Sequence, residues 1–110
     1  MAGGLGERYM RLLLFFDLPV KTKTERRLAN RFRRDLLNEG YLMLQLSVYS
    51  RICKGEDAVE KHKKRLKGFI PEHGNIRILV VTEKQYASMD ILIGIAKKEE
   101  KIGSAQLVLL

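Results

Sequence analysis

"RYMRLLLFFDLP", residues 8–19, is apolar from Tyr9 to Phe16 except at Arg11, and it stops on a carboxylate, Asp17, two residues before Pro19. A run with no period-2 alternation suits a central strand covered on both faces. Just beyond it, Thr22 and Glu25 stand at capping-box spacing, so each side chain can satisfy an orphan amide at a helix start. The helix is expected over 23–38, with Gly40 as its stop. Leu28, Phe32 and Leu36, with Ala29 beside them, form its core stripe, and Arg26, Arg27, Arg31, Arg33 and Arg34 take the other faces.

Working outward, "YLMLQLSVYSRIC" (41–53) favours β structure but is broken by Gln45, Ser47 and Ser50. It reads as two strands, or one strongly kinked strand, bending near Gln45 to Ser47. "EDAVEKHKKRLKGFI" (56–70) makes a second amphipathic helix with Val59, His62, Leu66 and Phe69 inward and its lysines outward. Pro71 and "HGN" form a turn; residues 76–82 are a further strand of the buried type, and 91–95 and 105–110 are two more. The order β-α-β-β-α-β with extra C-terminal strands is the ferredoxin-like α+β pattern. The chain reads as one domain over 1–110, with 1–7 as a flexible extension.

Two helices cover only one face of such a sheet, and the apolar strands argue that a second subunit meets the other. A bare apolar strand at 104–110 would invite uncontrolled pairing, so a homodimer with strand exchange is expected.

Twenty-one Lys and Arg against 13 Asp and Glu leave a net charge of +8, which favours a polyanionic partner. The longest uninterrupted apolar run, Leu12 to Phe16, is far short of a membrane span, and the first ten residues lack signal-peptide character. A single cysteine, Cys53, excludes an intrachain disulfide and a cysteine-based zinc site, and cytoplasm is the default compartment.

Seven basic residues, Lys21, Lys23, Arg26, Arg27, Arg31, Arg33 and Arg34, share their stretch with one acid, Glu25. Like charges at i,i+4, such as Arg27 and Arg31, are mildly destabilising and are not offset here, so the stretch reads as phosphate contacts without base readout. Asp17 is the only acid between Glu7 and Glu25. A strand end is where a rigid scaffold delivers catalytic groups, but an Asp ahead of a proline also serves as a turn residue, and position alone leaves both readings open. One carboxylate is sparse for Mg²⁺, which nevertheless often takes one or two carboxylates and keeps several waters. A two-fold dimer could bring both Asp17 side chains to one axis, where a shared ion would polarise a phosphoryl oxygen or activate a water. His62 reads as structural and His73 as solvated, and the absence of HExxH and GxSxG removes zincin and α/β-hydrolase chemistry.

"LLLFFDLP", the arginine-rich helix, "GYLMLQLSVYSRI" and "NIRILVVTEKQYASM", in this order and spacing, resemble the small CRISPR-associated endoribonuclease family, especially members found beside the single-protein effector of type II systems. The likeness runs from Arg8 to Leu110. It implies a ferredoxin-like homodimer that bridges dimers of the CRISPR integrase and binds duplex DNA, and possible Mg²⁺-dependent cleavage of RNA or DNA. It also implies that Asp17 is the catalytic, metal-binding aspartate at the dimer axis, with Gln45, Ser47 and Tyr49 near the site. On this reading the strand ends where two subunits meet over bound nucleic acid. The rival is a stand-alone toxin-type ribonuclease of related build. An RNA-recognition module would carry a Lys/Arg-Gly-aromatic-Gly/Ala-Phe strand that is missing here, and a small-molecule regulatory domain would not need this charge.

Overall fold

The computed structural model describes residues 9–96 and 98–100. β1 (Tyr9–Asp17), α1 (Lys23–Asn38), β2 (Leu42–Gln45), β3 (Val48–Lys54), α2 (Glu56–Lys67) and β4 (Asn75–Thr82) follow in the expected order. A short helix, α3 (Glu83–Ala87), and a 3-10 turn (Lys98–Glu100) come after them. The strands form one antiparallel sheet in the order β2-β3-β1-β4, the ferredoxin-like arrangement, with β1 inside and β4 at an edge.

Alternation along β1 sends Leu12, Leu14 and Phe16 toward the helices. There they join Ala29, Phe32 and Leu36 of α1, Val59 and Leu66 of α2, and Tyr49 and Cys53 of β3 in one core. Phe16 meets Phe32 edge-on, with ring centroids 5.1 Å apart, an arrangement worth about 0.5–1.5 kcal/mol beyond the area buried. The predicted capping box is present: the Glu25 amide donates to Thr22 Oγ1 at 3.0 Å, and the Thr22 amide donates to Glu25 Oε1 at 2.9 Å.

Several expectations are corrected. Leu28 is 46% exposed, not core. A strict four-residue spacing drifts about 40° per step on a helix of 3.6 residues per turn, so Ala29 takes the inner position, three before Phe32. β4 is half uncovered, with Leu79 at 54%, because it is an edge strand and its far side faces away from the helices. Residues 91–95 form no strand. A strand needs a neighbour for its backbone groups, and this segment pairs with none of the described strands. The reading also missed α3, although Thr82 and Gln85 form a second capping box (amide to hydroxyl 3.1 Å, amide to side-chain oxygen 2.9 Å). Phe69 lies beyond the end of α2 yet still packs on the core, 5.8 Å from Phe32. The expected extension at 1–7 and the strand at 104–110 lie outside the described residues.

The sheet's other face carries Arg11, Leu13, Phe15 and Asp17. Residues 89–95 pass over part of it and enclose a cleft of about 530 Å³ against Leu13, Phe15, Leu44 and Val48. Leu92, Ile93 and Ile95 of this segment are 93%, 96% and 92% exposed. No described helix is long and apolar enough to cross a membrane.

Candidate nucleic-acid interface and strand-end site

Helical geometry sorts the basic run of α1. Lys23, Arg26, Arg27, Asn30 and Arg34 fall at i, i+3, i+4, i+7 and i+11, one continuous face, and line a shallow groove. These four cations are exposed, and none is ion-paired among the described residues. Arg26 Nη1 also donates to the carbonyls of Val20 and Lys21 at 3.1 and 3.0 Å, which ties down the connection from β1. Lys21 is exposed just ahead of the helix. The other two arginines leave the stripe. Arg31 sits beside Leu28 and Asp35, near the 68–71 turn, and Arg33 is half-buried against the β2–β3 turn.

Asp17 is exposed between Phe16 and Leu18, both in the core beneath the helices, so alternation points it to the opposite face. Within one chain, therefore, the arginine stripe and Asp17 do not share a surface. The uniform apolarity of β1 hid which face each residue takes. Register places Asp17 opposite Asn75, and Phe15 opposite both Arg77 and Val48. The Phe16 amide donates to the Ser47 carbonyl at 3.1 Å, which brings the Gln45 to Val48 turn to the same strand end. Gln45 is exposed and Ser47 half-buried, whereas Tyr49 is a core residue at 0% exposure, its ring centroid 5.7 Å from that of Phe16.

Arg77 was missed by sequence reading. It is exposed on Asp17's face as a diagonal cross-strand neighbour, and the signal for it was an isolated cation inside the apolar run "NIRILVV". Gly74 closes in from the same end, at φ +112°; a Cβ there would stand 2.8 Å from the Asp17 carbonyl oxygen, so only glycine fits. Among the described residues, no group of three His, Cys, Asp or Glu is placed to hold a metal ion.

The model of the family described as CRISPR associated protein Cas2 matches residues 10–89, from β1 through α3. The chain belongs to the Cas2 family. Proteins named CRISPR-associated endoribonuclease Cas2 from Acidovorax ebreus (strain TPSY) and Ligilactobacillus salivarius (strain UCC118) are 52% and 42% identical to it, each over 101 residues. The matches cover 91% and 92% of this chain and 99% and 100% of theirs. A Campylobacter jejuni protein of the same name is 44% identical over 98 residues, 89% of this chain and 68% of its own. The Cas2 family match takes in β1 with Asp17 and the whole of α1.

One ionisable cluster of this Cas2 family member lies away from both features. Arg65 grips Glu39, the C-cap of α1, through Nε–Oε1 at 2.6 Å and Nη2–Oε2 at 2.9 Å. Burial lowers the pKa of His62 on α2, the positive charges of Arg51, Lys61 and Arg65 lower it further, and Glu39 opposes them. The folded protein thus binds fewer protons at this site than the unfolded chain. The stability His62 contributes is complete above the unfolded value of about 6.5 and is lost as pH falls through that value toward the lower folded one. Thermal melts between pH 7.5 and 5.5 should show stability falling with acidification, with a shallower fall in His62→Gln. Equal slopes in the two proteins would contradict this.

Proposed function

We propose that this protein acts in CRISPR spacer acquisition as a basic homodimer that binds duplex DNA and bridges integrase dimers, with metal-dependent phosphodiester cleavage at Asp17 as a secondary activity. The observation that carries the reading is the unpaired cationic face of α1, on a chain of the Cas2 family. Its side chains are spaced to contact phosphates and offer no base-reading geometry, so binding is indifferent to sequence. A second copy is supported by the apolar groups on and beside the helix-free face, among them Phe15 (39% exposed), Leu79 and Ile93, and by the edge of β4, which pairs with no other strand among the described residues. Exchange of the 104–110 strand would close that edge.

Asp17 supplies one carboxylate per chain, within the one or two that Mg²⁺ commonly takes, and a two-fold axis would double the count. Bound there, the ion would polarise a phosphoryl oxygen or acidify a water. The chain's own part is to hold Asp17 at the end of a strand paired on both sides, with the Arg77 cation near enough to attract a phosphate. The relatives' name points to RNA as the cleaved strand.

Two measurements separate the roles. Asp17→Ala should abolish Mg²⁺-dependent hydrolysis of RNA or DNA, leave duplex affinity equal or slightly higher because a repulsive charge is gone, and preserve integration of a labelled spacer by the integrase complex. Lost integration in a variant that still assembles would overturn the scaffold reading. Co-purification with a CRISPR integrase in the presence of duplex DNA tests the bridge itself. No complex, together with growth arrest on expression of this protein alone, would favour the toxin-type ribonuclease.

A further inference from the structure

Arg33 belongs by sequence to the basic run, yet its guanidinium is turned toward the sheet. It is half-buried: Nε donates to the Leu46 carbonyl at 3.1 Å, Nη1 donates to Asn30 Oδ1 at 3.4 Å, and the guanidinium carbon lies 5.4 Å from the centre of the Phe16 ring. Leu46 and Ser47 are the two-residue turn between β2 and β3. That turn is poorly specified by its own residues. Two-residue hairpin loops favour types I′ and II′, which need positive φ and hence Gly, Asn or Asp; Leu46 and Ser47 are none of these, and no non-glycine among the described residues has positive φ. The register slips beside it, with Met43 opposite Tyr49 but Gln45 opposite Val48, which leaves Leu44 as a bulge. Two contacts hold the turn from outside: the Arg33 bond to the Leu46 carbonyl, and the Phe16 amide bond to the Ser47 carbonyl. The second is made by Phe16, the residue immediately before Asp17, and the guanidinium that makes the first lies over the Phe16 ring.

We propose that Arg33 is a positioning residue and not a phosphate contact: it clamps the Leu46–Ser47 turn onto the end of β1 and so fixes the strand end from which Asp17 projects. The significance for cleavage rests on the reading of Asp17 above, whereas the clamp itself can be tested without it.

The test compares Arg33→Gln, Arg33→Lys and Arg34→Gln with the wild type. Amide hydrogen exchange at Phe16 should quicken by about tenfold or more in both Arg33 variants, with Leu12 in the middle of β1 unchanged, because lysine keeps the charge but has no planar fork to bridge the two acceptors. The slope of log K against log[salt] for duplex DNA should stay at the wild-type value in both, and fall by about 0.9 in Arg34→Gln. In Mg²⁺-dependent hydrolysis, kcat should drop in the Arg33 variants with KM unchanged, and KM should rise in Arg34→Gln. The proposal is overturned if Arg33→Gln lowers the salt slope by about 0.9 while Phe16 exchange is unaltered and lysine restores binding. Equal acceleration at Leu12 would also overturn it, by reducing Arg33 to general stability. A wild type without hydrolysis counts against cleavage at Asp17, and exchange and slope then still decide the clamp.

Discussion

Arg11→Met is expected to destabilise the protein by about 3–5 kcal/mol, the usual result of removing one partner from a buried ion pair. Arg11 is 2% exposed in the middle of an apolar strand, and only its partners make that tolerable. Its guanidinium meets Glu83 twice (Nε–Oε1 2.7 Å, Nη2–Oε2 3.2 Å), donates to the Glu100 carbonyl at 2.6 Å and stacks 4.2 Å from the Tyr86 ring centre. The Tyr86 phenol, its pKa raised mainly by burial, donates to the Glu100 carboxylate. Methionine would leave Glu83, itself only 13% exposed, without its cation. A domain of this size holds about 5–15 kcal/mol in all, so the melting temperature should fall by on the order of 15 °C or more. The double variant Arg11→Met, Glu83→Leu should recover most of the loss, because an apolar pair is often no worse than a buried ionic one. A single-variant shift of only a few degrees would mean that the cluster contributes little to stability.

Replacing Lys23, Arg26, Arg27 and Arg34 together by glutamine should reduce the salt slope of duplex binding by up to about 3.6 per chain, at about 0.9 for each phosphate that is no longer neutralised. Near 200 mM salt that corresponds to a loss of up to roughly three-hundredfold in affinity, alike for unrelated duplexes. The loss of stability should be small, since the four side chains are exposed, none has an ion-pair partner among the described residues, and the structural contacts given up are the exposed Arg26 hydrogen bonds to the Val20 and Lys21 carbonyls. Removing like charges at i,i+3 and i,i+4 relieves a mild repulsion. Fluorescence titrations across a salt series measure the slope. A slope within about one unit of wild type would place the duplex elsewhere on the protein.

Local signals made most of the fold readable. The β1 run, the Thr22–Glu25 box and the polar break at Gln45 to Ser47 each act over a few residues, and each formed as expected. The Thr82–Gln85 box is equally local, and its three-residue spacing stands in the sequence as plainly as that of Thr22 and Glu25. The candidate site was less legible. Asp17 could be singled out by its isolation, but Arg77 and Gly74 reach it only through the pairing of β4 with β1, some sixty residues apart in the chain.

The sequence by itself determined the order and type of the elements, the central place of β1 and the cationic character of α1, because capping, periodicity and charge depend on neighbours a few positions away. Only the tertiary structure decided what those groups do. It sent Asp17 and the arginine stripe to opposite faces and turned Arg33 inward to a turn 13 residues on. It paired Arg11 with a carboxylate 72 residues distant, and left 91–95 unpaired with any of the described strands. The reason is physical: the burial, partner and facing of a side chain are set by contacts between segments far apart in the chain, and no local pattern encodes which segment arrives.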